Sequence, residues 1–323
     1  MLLNTAISAA VVLEQCKYLV TATPKDSFNL QKVMLQQFDS PYHSSTSSLT
    51  FVHKSAPDSL VVDLRAALVM SERKLESNRW PWIRVKNIYE TMRVLLDRNK
   101  HNFTPVDEFA RIHGMVAKSA IVYGTIEKDC VVSEGCFVGK GSLIRSGTML
   151  EPNVTVLDNC EIGANSVIQS GVVIGSAGFN FYEFNNATIH LPHYGGVSIG
   201  SDVFVGANSV IASGVLNPTR IGNGCKLDSH IQIAHNVELG EECMLASQSG
   251  IAGSTRVGAR VKIGGAASLS GHLVIGDDVS IAAKSGVTKH IKSGAVVAGY
   301  PARDLKEWKQ QKIYLKNKAN KSR

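Results

Sequence analysis

A six-residue repeat of aliphatic or small residues dominates this sequence from Ala120 to Val287. The first register comprises Ala120, Ile126, Val132, Val138, Ile144, Leu150, Val156, Ile162, Ile168, Ile174 and, after an interruption, Ile199, Val205 and Ile211. A second register, displaced by four residues, comprises Ile221, Leu227, Ile233, Leu239, Leu245, Ile251, Val257, Ile263, Leu269, Ile275, Ile281 and Val287. A period of six fits neither an α-helix nor alternating strands, and it is typical of hexapeptide parallel β-helices.

The repeat also predicts how each coil is built. One hexad supplies a short strand and a corner, and three hexads close a coil of about 18 residues with the repeated aliphatic residue pointing inward. Glycine follows that inward residue at positions 139, 163, 175, 200, 206, 222, 240, 258, 264 and 276. A corner leaves little room for a Cβ atom, which favours glycine there. We therefore predict a mainly β fold organised around a parallel β-helix.

The limits of the repeat predict three segments along the chain. These are a small α/β domain at 1–105, the β-helix at 106–302 and a basic helical tail at 303–323. The interruption at 176–198 is too long for a corner and is expected to leave the β-helix as a loop. It carries Phe179, Phe181, Tyr182, Phe184, His190, His193 and Tyr194. Such a loop could pack against a neighbouring subunit, contact a substrate, or do both.

Local patterns give a coarse reading of the first segment. Strand-like apolar runs occur at 49–52, 60–62 and 66–70, and residues 88–96 have helical apolar spacing. The stretch 1–16 is mildly apolar but lacks a basic leader, so we expect an ordinary helix there rather than a signal peptide. No apolar run reaches the ~18 residues that a membrane span requires.

Charge is concentrated at the end of the chain. The formal net charge is +7, and residues 303–323 contain eight Lys and Arg against Asp304 and Glu307. The rest of the chain is nearly neutral, which argues against general nucleic-acid binding. A basic tail suits an acidic partner or an anionic membrane face, and it is equally compatible with a solvated, frayed terminus.

The six cysteines are expected to be packing residues rather than ligands. Five of them stand two residues before an inward aliphatic residue: Cys130, Cys136, Cys160, Cys225 and Cys243. Small residues such as Gly124, Ser142, Thr148 and Ser166 occupy the same slot elsewhere, which predicts a small buried side chain. No Cys/His pattern with zinc spacing occurs. We therefore expect a reduced, cytoplasmic protein without a structural metal or cofactor.

One histidine is singled out by its place in the repeat. His235 follows the inward Ile233 by two residues, at an outward-facing corner, so it is either an idle surface residue or a functional one. Gly253, three hexads later, occupies the equivalent corner one coil along, about 4.8 Å away by strand spacing. His272 lies two coils and one position after His235, in the same groove at roughly 10 Å.

These groups favour one kind of chemistry. No phosphate-binding loop, dinucleotide fingerprint or nucleophile elbow is present in the sequence. A lone imidazole base beside a backbone N–H donor suits direct acyl transfer from a thioester to an amine or hydroxyl.

The residues around His235 resemble a known family, the UDP-3-O-acylglucosamine N-acyltransferases of lipid A biosynthesis. The similar stretches are residues 222–224, 227–228, 232–237, 250–254, 263–266 and 271–272, with 49–52, 85–87 and Tyr89 in the first domain and Gly178-Phe179 at the start of the loop. The resemblance implies a homotrimer of left-handed β-helices with active sites in clefts between subunits. It also implies transfer of a 3-hydroxyacyl or related chain from acyl carrier protein to the 2-amino group of a UDP-amino sugar.

The same resemblance implies roles for individual residues. His235 would be the general base, and the Gly253 N–H would hold the thioester oxyanion. The substrate-binding residues would be His272 at the sugar-phosphate end, Asp228 and Gln232 at the sugar, Phe51 against uracil, and Phe179 at the loop.

The chain departs from the family pattern at two places. Ala212-Ser213 stands where the family has an acidic and a basic residue, and Lys54 replaces the usual Asn three positions after Phe51. These changes affect the expected sugar nucleotide and acyl chain rather than the acyl-transfer centre. Two alternatives stay open: a CoA-dependent N-acetyltransferase acting on another nucleotide amino sugar, and a non-catalytic trimeric scaffold.

Overall fold

The computed structural model divides the chain into two compact units, Met1–Glu108 and Phe109–Arg323. The residues that it describes are 2–22, 29, 31–39, 46–54, 65–75, 81–99, 115–184, 186–299, 310–311 and 313–314. The predicted strand at 60–62 lies outside the described residues, as does most of the predicted tail. The four described tail residues, 310–311 and 313–314, are helical, and the predicted tail as a whole stays a prediction.

The first unit is built on a six-stranded mixed sheet. Its strands are Leu2–Ser8 (β1), Val20–Ala22 (β2), Met34–Asp39 (β3), Ser48–Val52 (β4), Leu68–Ser71 (β5) and Trp82–Val85 (β6), in the order β1-β3-β4-β5-β6-β2. Strands β3 to β6 are parallel, and β1 and β2 pair antiparallel at the two edges. Within its described residues the helices are Ala9–Gln15 (α1) and Ile88–Arg98 (α2), with a 3₁₀ turn at Lys17–Leu19.

The first residues correct one expectation from the sequence. The predicted N-terminal helix begins only at Ala9, and Leu2–Ser8 is an edge strand that pairs with β3. Ser8 ends this strand and caps α1, because its hydroxyl accepts a hydrogen bond from the Val11 amide at 3.3 Å. The predicted strands at 49–52 and 66–70 correspond to β4 and β5, and the helix at 88–96 corresponds to α2.

The second unit is the parallel β-helix that the hexads predict. Its first face contains Met115–Val116, Val131–Val132, Met149–Leu150, Val167–Ile168, Phe204–Val205, Lys226–Leu227, Met244–Leu245, Lys262–Ile263, Ser280–Ile281 and Val296–Val297. Its second face contains Ile121–Val122, Phe137–Val138, Thr155–Val156, Val173–Ser176, Val210–Ala212, Gln232–Ile233, Gly250–Ile251, Ser268–Leu269 and Gly286–Val287. Its third face contains Thr125–Ile126, Leu143–Ile144, Cys160–Ile162, Val197–Ile199, Thr219–Ile221, Glu238–Leu239, Arg256–Val257 and Val274–Ile275.

The inward column of aliphatic residues holds the coils together. Every inward residue of the repeat from Val132 to Val287 is at most 7% exposed. Each regular coil pairs in register with the next, as Ile233 pairs with Ile251. Burying each such side chain stabilises the fold by about 1.5–3 kcal/mol.

The corners of the coils have a backbone conformation of their own. Most of them turn through left-handed residues with φ near +60°, a conformation that Asn and Asp tolerate best. Asn236 and His272 are two of these corner residues.

Two insertions break the regular coil. Cys160 pairs with Val197 rather than with a residue three hexads later. The reason is that the chain leaves the stack after the strand Val173–Ser176 and forms an antiparallel hairpin of Phe181–Phe184 and Ala187–His190 before it returns. The predicted loop is therefore largely a β-hairpin. Val197 then pairs with Thr219. The four extra residues that separate the two registers of the repeat therefore lie in the segment between Val197 and Thr219. Both insertions lie on the coils next to His235.

The cysteines behave as the repeat predicts. All six are free and buried, and the five in the β-helix are at most 3% exposed. Burial is the main cause that raises the pKa of the Cys160 thiol to about 12. Such a thiol is protonated and unreactive at neutral pH.

We expect no cysteine of the folded protein to react with a thiol-specific chromogenic reagent at pH 8 on the time scale of minutes. Unfolding the protein in guanidinium chloride should release six reactive thiols, because burial is what protects them. Rapid modification of even one thiol in the folded protein would contradict the packing role.

Candidate active site

His235 lies at the corner between the strands Gln232–Ile233 and Glu238–Leu239, where the chain turns from the second face to the third. The inward Ile233 is buried and ends its strand, and the corner that follows leaves the His235 side chain outside the core and partly buried. The Ser254 amide donates to the His235 carbonyl at 3.0 Å, which joins this corner to the next coil. This hydrogen bond holds the backbone of the corner in place and leaves the His235 imidazole partly exposed.

Two glycines leave room for the His235 ring. A Cβ atom on Gly253 would lie 2.6 Å from Nε2 and 2.7 Å from Cε1 of His235. A Cβ atom on Gly178 would lie 2.7 Å from the His235 Cβ atom. Such separations are well inside van der Waals contact, so any side chain at either position would displace the ring. The predicted juxtaposition of His235 and Gly253 is therefore present in the structure.

The Gly253 amide is available to a ligand as far as the described residues show. The neighbouring Ala252 and Ser254 amides donate to carbonyls of adjacent coils, whereas no hydrogen bond donated by the Gly253 amide occurs within the described part of the chain. An N–H without a protein partner beside an imidazole is the kind of donor that can stabilise an oxyanion.

The hydrogen bonds of Asn236 define which His235 nitrogen carries the proton. The Val215 amide donates to Asn236 Oδ1 at 3.1 Å, and Asn236 Nδ2 donates to the Asn217 carbonyl at 3.1 Å. These partners identify the side-chain oxygen, which lies 3.3 Å from His235 Nδ1. Nδ1 must then be the donor, and Nε2 keeps its lone pair on the side of Gly253. Nε2 is thus the nitrogen that can act as a base.

A second imidazole contacts His235, and the sequence alone did not single it out. The ring centroids of His193 and His235 are 5.3 Å apart, with the rings at 71°. His193 also stacks on His190, whose Nε2 lies 2.9 Å from the Gly178 carbonyl oxygen. The aromatic content of the loop was the only signal for this contact, because the hairpin has no hexad to define its register.

A cleft of about 580 Å³ opens on the second face beside this corner. Small and apolar residues make up most of its lining, which consists of Ser176, Ala177, Gly178, Phe179, Val210, Ala212, Gln232, Ala234, Gly250, Ile251, Ala252, Ser268 and Leu269. It extends along five successive strands of that face, from Val173–Ser176 to Ser268–Leu269. A narrow apolar chain would fit such a lining better than a charged group.

A larger concavity, of about 640 Å³, lies on the third face. Its lining includes Arg220, Glu238 and Arg256 but no histidine, and Glu238 pairs with Arg256 at 3.6 Å. We assign the candidate site to the smaller cleft, because its lining includes Gly178, which packs against His235, and the chain neighbours Ala234 and Ala252.

The remaining predicted residues are not all near His235. Gln232 and Phe179 line the cleft, and Phe179 is 89% exposed. His272 follows Gly271 and stacks in the column of Asn236 and Ser254, one position beside the column of His235 and Gly253. Its amide donates to the Gly253 carbonyl at 3.0 Å.

Asp228 and Phe51 lie elsewhere in the structure. Asp228 occupies the corner between the first and second faces, where its carboxylate accepts from the Ser247 amide at 3.1 Å. Phe51 lies on β4 and is 9% exposed within the apolar core of the first unit. Their predicted roles toward the substrate stay predictions.

The first departure from the family pattern has a structural consequence. Ala212 and Ser213 are buried, at 3% and 4% exposure. The Ser213 hydroxyl accepts from the Gly196 amide at 2.9 Å and so fastens the base of the hairpin to the stack. Packing therefore requires small residues at these two positions.

Comparison with known proteins agrees with the repeat. A family model described as bacterial transferase hexapeptide (six repeats) matches residues 141–176 and 218–253, and one described as hexapeptide repeat of succinyl-transferase matches residues 196–229. The chain carries bacterial transferase hexapeptide repeats. Within the described residues, no helix is long and apolar enough to cross a membrane, and no three His, Cys, Asp or Glu side chains converge to hold a metal ion.

The resemblance stated from the residues is confirmed by a curated relative. UDP-3-O-acylglucosamine N-acyltransferase from Pseudomonas putida is 41% identical over 103 residues, which make up 32% of this chain and 29% of the relative. The match therefore spans less than a third of the relative's length.

Two solved structures share the fold. UDP-N-acetylglucosamine O-acyltransferase from Moraxella catarrhalis RH4 superimposes with a TM-score of 0.51 at 25% identity, covering 62% of this chain and 77% of that one. A UDP-N-acetylglucosamine acyltransferase superimposes with a TM-score of 0.54 at 27% identity, covering 58% and 71%. Both similarities support the hexapeptide β-helix.

Proposed function

We propose that this protein is an N-acyltransferase that moves a 3-hydroxyacyl or related chain from acyl carrier protein to the 2-amino group of UDP-3-O-acylglucosamine, in lipid A biosynthesis. One observation carries the proposal: the Nε2 atom of His235 lies against Gly253, and the residues that precede these two, Ala234 and Ala252, line an apolar cleft. The relative with 41% identity bears the name of this activity. The thioester already holds an activated acyl group, so the reaction needs no cofactor.

The proposed reaction is a single direct transfer. The amine nitrogen of the sugar forms a bond to the thioester carbonyl carbon, and His235 Nε2 takes the proton that the amine loses. The Gly253 N–H stabilises the oxyanion of the tetrahedral intermediate. The carbon–sulfur bond then breaks, and the carrier thiol leaves with a proton. The products are an amide and free carrier protein.

We further propose that the active form is a cytoplasmic homotrimer with sites between subunits. Large apolar side chains are exposed beside the cleft, among them Phe179 at 89% and Leu216 at 83%. Contact with a second copy of the chain would cover them. Six free, buried cysteines suit a reducing compartment.

The test uses purified full-length protein with UDP-3-O-acylglucosamine and a mixture of acyl carrier thioesters. We expect release of free thiol and a product whose mass increases by one acyl chain. Product that forms only with acetyl-CoA would favour the second candidate, an N-acetyltransferase for another nucleotide amino sugar. The buried Ala212 and Ser213, where the family carries charged residues, are the observation that keeps that candidate. No turnover with any donor would favour a scaffold.

We predict that deleting residues 303–323 raises KM for acyl carrier protein several-fold and weakens its dependence on salt. The segment holds eight basic residues and two acidic ones, and charge steers association with an acidic carrier. Steady-state rates at low and high ionic strength measure both effects, and KM for the sugar nucleotide serves as the internal control. An unchanged KM and salt dependence would remove the tail from the proposed carrier site.

A further inference from the structure

His193 is a half-buried imidazole at the foot of the hairpin, beyond the residues that the proposed reaction uses. Both of its ring nitrogens are inaccessible to solvent, and no described group lies at hydrogen-bonding distance and angle from either one. Leaving a buried donor and acceptor without partners costs free energy of folding, so folded proteins keep few of them. Hairpin packing alone gives no reason for an imidazole at this position.

The His193 ring packs against both the His235 ring and Gly178. Its edge-on contact with His235 has a centroid separation of 5.3 Å. A Cβ atom on Gly178 would lie 2.8 Å from His193 Nε2 and 2.9 Å from His235 Cδ2. Both imidazoles therefore pack against the same glycine, and His235 is enclosed between Gly178 and Gly253. The His235 ring cannot tilt toward the hairpin without striking His193.

Val215 connects the His193 segment to the His235 corner by hydrogen bonds of its backbone. The Tyr194 amide donates to the Val215 carbonyl at 2.9 Å, and the Val215 amide donates to Asn236 Oδ1 at 3.1 Å. On the other side of His193, the Leu191 amide donates to the Asn180 carbonyl at 2.9 Å. His193 and the His235 corner are thus connected by two consecutive hydrogen bonds.

We propose that His193 is a positioning residue for His235: its half-buried ring packs edge-on against the His235 imidazole and fixes the plane in which Nε2 lies against Gly253. Burial lowers the pKa of His193, and the neighbouring His235 and His190 add to this effect; the Leu191 backbone is near enough to oppose it in part, although it does not meet the distance and angle of a hydrogen bond. His193 is therefore neutral near pH 7 and adds no charge beside the imidazolium that His235 would form. The kinetic part of this proposal rests on the proposed acyl transfer.

The kinetic test compares His193→Ala with His193→Phe. Because small displacements of a catalytic group can lower rates by up to ~10²-fold, we expect His193→Ala to reduce kcat by about 10–100-fold with little change in KM. His193→Phe keeps a ring at the contact and should recover most of the loss. The matched control is His230→Asn, which removes an exposed imidazole at a left-handed corner of the β-helix. This variant should keep the wild-type kcat and KM.

A second measurement needs no substrate. In protein labelled with ¹³C at histidine Cε1, the His235 resonance is identified by its loss in His235→Ala. We expect that resonance to move in His193→Ala and to stay in place in His230→Asn. If the His235 resonance does not move in His193→Ala, the proposed contact between the two rings is wrong, whatever the activity of the variant. A moved resonance with unchanged kcat in an active enzyme would overturn positioning while leaving acyl transfer intact. If the wild-type protein transfers no acyl chain, the proposed function fails and the resonance alone decides the contact.

Discussion

Replacing His235 with alanine should lower kcat for acyl transfer by at least ~10²-fold, since a positioned general base contributes roughly 10²–10⁴-fold. The Nδ1 atom of His235 lies 3.3 Å from Asn236 Oδ1, so Nε2 carries the lone pair, and the three atoms nearest to a Cβ atom built on Gly253 all belong to the His235 ring. His193, the neighbouring ring, has both nitrogens buried. Thiol release from the acyl carrier under saturating sugar nucleotide measures the effect.

The variant should fold normally, because the His235 side chain lies outside the inward column of the β-helix. Thermal unfolding and the oligomeric state of His235→Ala should therefore match the wild-type protein, and His230→Asn should match it in activity as well. Wild-type turnover in His235→Ala would exclude the imidazole as the base.

The second large effect is expected for Gly253→Ala. The added methyl group would lie 2.6 Å from His235 Nε2, a distance that real Cβ atoms do not reach, so the imidazole must leave its place. We expect kcat to fall by about 10²-fold, because both the base and the oxyanion donor are disturbed. The φ angle of Gly253 is not in the left-handed region, so alanine fits the backbone and the damage stays local.

Gly265 offers a matched control for this substitution. It occupies the same slot of its hexad, two residues after an inward isoleucine, and an added Cβ atom would meet only the Ser247 carbonyl oxygen at 3.4 Å. Gly265→Ala should keep wild-type kcat and thermal stability. Equal losses in the two variants would mean that Gly253 acts through the general stability of the corner rather than through His235.

Periodicity explains how much of this site was predictable. A separation of three hexads places Gly253 over His235 in any regular stack, and the inward slots identified the buried cysteines. The same arithmetic placed His272 one position aside, in the neighbouring column of left-handed corner residues. For these residues, local sequence spacing and three-dimensional position carry the same information.

The rest of the site comes from segments that leave the period. The hairpin brings His193 to His235, and the slip between the registers brings Val215 and Asn217 to Asn236, and neither contact follows from a repeat. The first unit has no repeat at all. There, the apolar pattern at residues 2–8 predicted a helix, whereas pairing with β3 makes it an edge strand. Tertiary pairing decides between the two for short apolar segments.

The regular coil length limits which insertions and deletions the β-helix can accept during evolution. Between Thr125 and Val287, outside the two insertions, each strand pairs with strands three hexads away along the chain. Gain or loss of one complete coil would leave every face in phase, whereas a change of one or two hexads would rotate all later corners to another side of the prism. The stack can therefore grow or shrink far from the imidazole while His235 and Gly253 stay aligned, provided that whole coils are exchanged.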